Sequence, residues 1–287
     1  MKNLNIKLIL ILSLSLVFTS CKENVKSEKK VAEETIQSEI KADNKNENTD
    51  KLKVMLHATS LPLYMNVILN NKEALHIDKE QYQKFVEISK NKSPEAVKTA
   101  KNIIEIEKKL YQLSLDNAKK KDLLNNLEES IKLRTSLANM KLDCRSKVLK
   151  ILNEEQWNAL LKMYKEKMPF NNKTEMASLI KHVNPLPNYM QLIKGVDIKL
   201  DKVQEEKLSK WSGENHPRMM ELAEKVNMLE KNVYELSMNK ESKENILKKV
   251  DEIADIKKQI VITKTDCRDN LINNILSEDQ WKILSSK

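Results

Sequence analysis

Ile77-Asp78-Lys79-Glu80-Gln81 decides how this chain is read, because the same signal occurs three more times. The other copies are Leu152-Asn153-Glu154-Glu155-Gln156, Leu200-Asp201-Lys202-Val203-Gln204 and Leu276-Ser277-Glu278-Asp279-Gln280. Each offers an aliphatic residue, a helix-capping residue, two others and a glutamine. That order is a capping box. The Asp, Asn or Ser oxygen accepts from an orphan backbone N–H of the first turn, and the glutamine three residues on reaches back to the cap's own N–H. The aliphatic residue staples onto the side chain four past the cap. That partner is Tyr82, Trp157 and Trp281 in three copies, and Glu205, which gives no staple, in the fourth. The sequence therefore predicts helix starts at Asp78, Asn153, Asp201 and Ser277.

The four boxes form two matched pairs. Residues 77–145 align without a gap on 200–268, an offset of 123. Pro94 falls on Pro217, Tyr111-Gln112-Leu113-Ser114 on Tyr234-Glu235-Leu236-Ser237, and Asp143-Cys144-Arg145 on Asp266-Cys267-Arg268. One residue of shift brings Gln156-Trp157 onto Gln280-Trp281. Upstream, two residues of shift bring Leu61-Pro62-Leu63-Tyr64-Met65 onto Leu186-Pro187-Asn188-Tyr189-Met190. Rare residue types align together, so this is a duplicated domain and not the shorter unit of a solenoid.

Every long segment has helical spacing and none alternates as a strand does, so the expected fold is all-α. Each repeat should hold about four to five helices. In the first, Ser60-Leu61-Pro62 should open a short helix, Asp78 a second and Ser93-Pro94 a third, since Pro suits the first helical position. After a polar break at Asp116–Lys121, a long helix is expected from about Asp122 to Ile151. Leu133, Leu137, Met140, Cys144, Val148 and Ile151 form its apolar stripe. The second repeat carries Ile256, Ile260, Thr263, Cys267 and Leu271 in its place. The domains read as 53–170 and 174–287, with a polar joint at Phe170–Lys173. Two arrangements are open, one internal pair or two beads; the first, an internal pseudo-dimer in a monomeric chain, is favoured by the high effective concentration of tethered halves.

The start of the chain reads as an export signal. Lys2 and Lys7 precede an apolar run from Leu8 to Phe18, and Thr19-Ser20 stand before Cys21. Residues 1–20 resemble a bacterial lipoprotein signal, which would make Cys21 the lipidated N-terminus. Residues 21–52 are a charged tether with no aromatic residue, too polar to fold, and reach roughly 30 Å on average as a flexible chain.

The formal charge is +9, and the signal removes two lysines and no acid, which leaves +7. A basic balance suits acidic partners. Nucleic acid is a poor candidate behind an export signal. Two glycines in the whole chain exclude Gly-rich phosphate loops and Rossmann turns. His57, His76, His182 and His216 make no i, i+4 pair with another His or Cys, so neither a metal site nor a cofactor is expected. No nucleophile–base spacing stands out, so the chain does not read as an enzyme. Cys144 and Cys267 sit at equivalent positions on their stripes. Three readings stay open for them: a mutual disulfide, separate buried thiols, or metal or redox chemistry. Eleven methionines follow the signal, Met219, Met220 and Met228 on one helix, and serve as core filler or as an adaptable binding surface.

The order of capping box, helix, Pro-initiated helix, long helix and second capping box behind an export signal resembles the Spy/CpxP family of periplasmic proteins. That family carries a repeated Leu-Thr-x-x-Gln motif. The best local match is Val148-Leu149-Lys150-Ile151-Leu152-Asn153-Glu154-Glu155-Gln156, with a twin at Ile275 to Gln280. Family members are single units that dimerise into a curved cradle. The resemblance implies a lipid-anchored envelope protein of a Gram-negative-type bacterium that faces the periplasm. It would act as an ATP-independent chaperone or stress-response protein for unfolded or misfolded envelope proteins. The alternative it implies is a regulatory or metal-sensing module acting on a membrane sensor.

Overall fold

Asp78, the cap of the first motif, sits in extended backbone and accepts from the Gln81 N–H, while Gln81 returns a bond to the Asp78 N–H. The helix it starts, α3 (Lys79–Leu115), is one of two long rods in the first repeat; the other is α4 (Lys120–Ile151). The computed structural model describes residues 50–166 and 183–286. Before these rods come α1 (50–58) and α2 (Tyr64–Asn70), and after them α5 (Glu154–Glu166). The second repeat follows the same order with α6 (Tyr189–Gly195), α7 (Lys202–Met238), α8 (Lys243–Asn270) and α9 (Glu278–Ser285). A five-residue π-helical stretch, Leu271–Ile275, joins α8 to the turn before α9. The described residues contain no strand, and the fold is all-α.

Three sequence expectations need correction. Pro94 does not start a helix; it lies inside the 37-residue α3, as Pro217 lies inside the 37-residue α7. Each proline removes one backbone bond, to Lys90 or Gly213, but both residues are exposed, where water can take the freed carbonyl. The rod carries through in both helices. The short helix begins at Tyr64 and not at Ser60, with Leu61 and Leu63 buried ahead of it. Helical structure also starts at 50, inside the stretch assigned to the tether. The expected joint at Phe170–Lys173, His182, the signal and Cys21 lie outside the described residues.

The breaks within each half repeat as well. Asn117 and Lys240, equivalent positions just past α3 and α7, both adopt positive φ (55° and 60°), the left-handed turn that ends a helix. Ser242 caps α8, while Lys119 before α4 makes no side-chain cap bond.

The long α4 buries two faces, and this explains why its stripe predicts its packing only in part. One face lies on α3 and one on α8. Leu137 and Val148 of the stripe are fully buried, but so is Leu142 on the opposite face. Ala138 and Leu142 join Leu222, Val226, Ile253 and Ile260 of the second repeat in one cluster. The ion pairs Lys120–Asp266, Glu128–Lys258 and Asp143–Lys243 step forward along α4 as they step back along α8, so the two helices run antiparallel. Lys120 and Lys243 are equivalent positions, and so are Asp143 and Asp266.

Candidate functional site

Each repeat closes on its own pair of motif glutamines. Gln81 Nε2 donates to Gln156 Oε1 at 2.9 Å, and Gln156 Nε2 donates to Gln81 Oε1 at 2.9 Å. Each amide also donates to a backbone carbonyl beside the opposite box. Gln81 reaches the Ile151 carbonyl at 2.8 Å and Gln156 reaches that of His76 at 2.8 Å. Each Oε1 accepts in addition from its own cap N–H, Asp78 or Asn153. Both ends of the glutamine side chain are thereby used, one for capping and one for holding the start and end of the repeat together.

The second repeat builds the same clamp. Gln204 and Gln280 exchange amide bonds at 2.8 and 3.1 Å, and they reach the carbonyls of Ile275 and Lys199. Asp201 and Ser277 accept from the backbone N–H of Gln204 and Gln280. All eight capping-motif residues expected from sequence lie at helix starts. The staples differ: Leu152 with Trp157, and Leu276 with Trp281, share buried clusters, whereas Tyr82 lies beneath the Lys72 ammonium at 5.0 Å.

Between the halves, Tyr64 and Tyr189 exchange roles. The Tyr64 hydroxyl meets Ser237 Oγ of the second repeat at 3.1 Å, and the Tyr189 hydroxyl meets Ser114 Oγ of the first at 2.5 Å. Arg145 adds bonds to the carbonyls of Ser237 and Glu241, at the C-terminal end of α7. Its equivalent, Arg268, is 2% exposed and turns onto the neighbouring Asp269.

A second polar cluster, invisible to motif spacing, lies where α1, α3, α4 and α8 converge. His57 Nε2 and Glu107 Oε2 are 2.6 Å apart, Arg134 pairs with Glu107 and donates to the Ala58 carbonyl, and Lys257 pairs with Glu230 at 3.1 Å. Burial alone would raise the Glu107 carboxyl. Arg134 and the His57 bond outweigh it and hold the carboxyl down at about 2. Burial pushes the Lys257 ammonium down, and Glu230 offsets part of that. A signal for this cluster was present in the sequence. Glu107 and Glu230, and Arg134 and Lys257, are equivalent at the offset of 123, and His57 falls on His182 at the upstream offset.

Cys144 and Cys267 are free thiols. The candidate disulfide is not formed, and the antiparallel pairing explains why. Lys243, not Cys267, lies opposite Asp143, which puts the cysteines some two dozen residues out of register, about 35 Å along the rods. They pack in separate clusters, Cys144 beside the first clamp's core and Cys267 within the second's. Burial raises both thiols, Cys267 to about 12, against an opposing lysine one turn earlier, Lys141 or Lys264. Such thiols are protonated at neutral pH and poor nucleophiles. Among the described residues, no group of three His, Cys, Asp or Glu side chains could hold a metal ion, and no helix is long and apolar enough to cross a membrane.

Comparison with known proteins found no matching family model, no similar curated protein and no similar solved structure.

Proposed function

We propose that this chain is a lipid-anchored periplasmic binding protein, an ATP-independent chaperone or envelope stress-response protein of the Spy/CpxP type. The observation that carries the reading is the reciprocal pairing of motif glutamines. Paired motifs at the two ends of a helical unit are what the resemblance rests on, and in both halves they meet. The α4–α8 contact supports the further view that one polypeptide supplies both halves of the family's dimeric cradle. Cys21 would anchor it and the charged tether would let the folded part move over the membrane surface.

The binding chemistry follows from composition. A net positive chain attracts acidic unfolded segments at long range, and apolar side chains at the surface then hold them weakly. Val86, Tyr111, Val203, Met228 and Ile283 are large apolar groups left exposed. Met228, 63% exposed and unbranched, suits varied client surfaces.

The test is light scattering from an unrelated protein unfolding in the presence of the full chain, with no nucleotide added. Suppression is expected near equimolar ratio and should weaken as salt is raised. Unchanged aggregation at tenfold excess of the chain would rule the chaperone reading out.

A further inference from the structure

The duplication provides an internal control for cavities, because each half shows how the other could have packed. One groove is bounded by Val183-Asn184-Pro185-Leu186, by α3 and α4, and by Lys257. Its counterpart is bounded by Ala58-Thr59-Ser60-Leu61, the equivalent segment at the upstream offset, and by α4, α8 and Glu230. The counterpart is nearly filled by side chains, at about 50 Å³. The first is open, at about 560 Å³, within the range of roughly 300–1,000 Å³ usual for small-molecule sites.

Side chains account for part of the difference. Ser130 lines the open groove, and the equivalent Ile253 lines the closed one. Tyr111 stands 38% exposed at the open groove, while its equivalent Tyr234 is 5% exposed and packs edge-on against Tyr164. The open groove combines an apolar wall, Ile104, Leu127, Ile131 and Leu192, with charge of one dominant sign. Among the described residues, Lys108, Arg134 and Lys257 line it with one acid, Glu107. Glu107 is committed to Arg134 and His57. Among the described residues, Lys108 pairs with the exposed Glu105 on its own helix, an interaction cheap to exchange. Lys257 donates to Glu230 at 3.1 Å, and an ammonium can donate three bonds.

We propose that this groove binds a single-chain anionic amphiphile, with its hydrocarbon chain along Ile104, Leu127, Ile131 and Leu192 and its anionic head between Lys108 and Lys257. The shared chemistry is one negative head on one acyl chain, whether a free fatty acid or a lysophospholipid supplies it. Desolvation already depresses the Lys257 ammonium. An anion placed beside it would restore its favoured charged state, so binding should tighten as pH falls through that depressed value. This site is separate from the weak, surface-held clients proposed above, and neither reading depends on the other.

The test titrates the full chain, made by cell-free synthesis without membranes, with dansylaminoundecanoic acid below its micellar concentration. A saturable fluorescence rise at one probe per chain is expected. Palmitate and a lysophosphatidate should both displace the probe, with their relative potency showing which source fits better, and a neutral monoacylglycerol should be at least tenfold weaker. Ser130→Ile, which introduces the residue the closed cavity already accommodates, should weaken the probe at least tenfold. Leu192→Glu, at the half-buried outer wall, is the second variant should the first disturb folding, which circular dichroism checks; Lys108→Glu should weaken anionic ligands selectively. Non-saturable binding, equal displacement by the neutral lipid, or unchanged affinity in a folded Ser130→Ile or Leu192→Glu chain would each overturn the proposal.

Discussion

Glu107 shows how one residue in this molecule ties pH to stability. Its folded-state value is depressed to about 2, against an ordinary value of 4.5. A carboxyl depressed on folding contributes stability that is fully present above its unfolded value and is lost as pH falls through the folded one. The window is therefore about pH 4.5 down to about 2, and the contribution is on the order of 3 kcal/mol at neutral pH. Denaturant titrations across that window should show stability falling in the native chain and falling less in Glu107→Gln. At neutral pH the same substitution should destabilise the chain, because it leaves the Arg134 guanidinium with a neutral partner in a site that is 16% exposed. An equal acid response in the two proteins would show that Glu107 is not the group responsible. Little of this cluster was legible in the sequence. His57, Glu107 and Arg134 lie 50 and 27 residues apart, and only their recurrence at the repeat offset could have marked them. Charged residues on helices ordinarily read as solvated faces, and nothing local distinguishes the one that is buried.

At the scale of elements, the capping boxes were legible because their bonds are local. Asp78 and Gln81 are three residues apart, and the sequence states both halves of that interaction. The bond from Gln81 to Gln156 spans 75 residues and is not local, so the clamp's parts are legible in the sequence and its closure is not. Pro94 failed for the opposite reason. Its local preference for a helix start is real, but the bond it removes is to the exposed Lys90, where water can take the carbonyl, and the helix continues past it. The clamp makes a measurable prediction. Gln156 is 7% exposed, and Gln156→Ala leaves the His76 carbonyl without its donor and takes from Gln81 both amide bonds to Gln156. A loss of about 2–3 kcal/mol is expected, larger than the ~1 kcal/mol of a simple cap. Urea denaturation of Gln81→Ala, Gln156→Ala and the double variant should reveal a coupling of about 1 kcal/mol or more. Strict additivity would leave the two glutamines as independent caps. Gln204 and Gln280 should behave in the same way, with a smaller effect because Gln280 donates to Lys199 in an exposed setting.

For the whole molecule, the question is whether the two halves fold as one. Four features join them across the duplication: the cluster of Ala138 and Leu142 with Val226, Ile253 and Ile260; the antiparallel ion pairs of α4 and α8; the exchanged Tyr–Ser bonds; and Arg145 on the end of α7. The exposed ion pairs contribute little, since surface pairs are worth about 0–1 kcal/mol each. The buried cluster is what couples the halves, and it is part of the core of both. Unfolding one half would therefore expose apolar surface of the other, which predicts a single cooperative transition. Tryptophan reports on each half separately, Trp157 on the first and Trp211 and Trp281 on the second. A chain with Trp211→Phe and Trp281→Phe, and another with Trp157→Phe, should each be followed by fluorescence and by circular dichroism. Within each variant the two signals should share one midpoint in urea. Leu142→Ala, at the seam and 1% exposed, should lower stability by about 2–4 kcal/mol in both backgrounds, moving the first half's fluorescence and the second's together. Two separate beads would respond differently. Leu142→Ala would then shift the Trp157 signal alone, and the second half's transition would stay where it was.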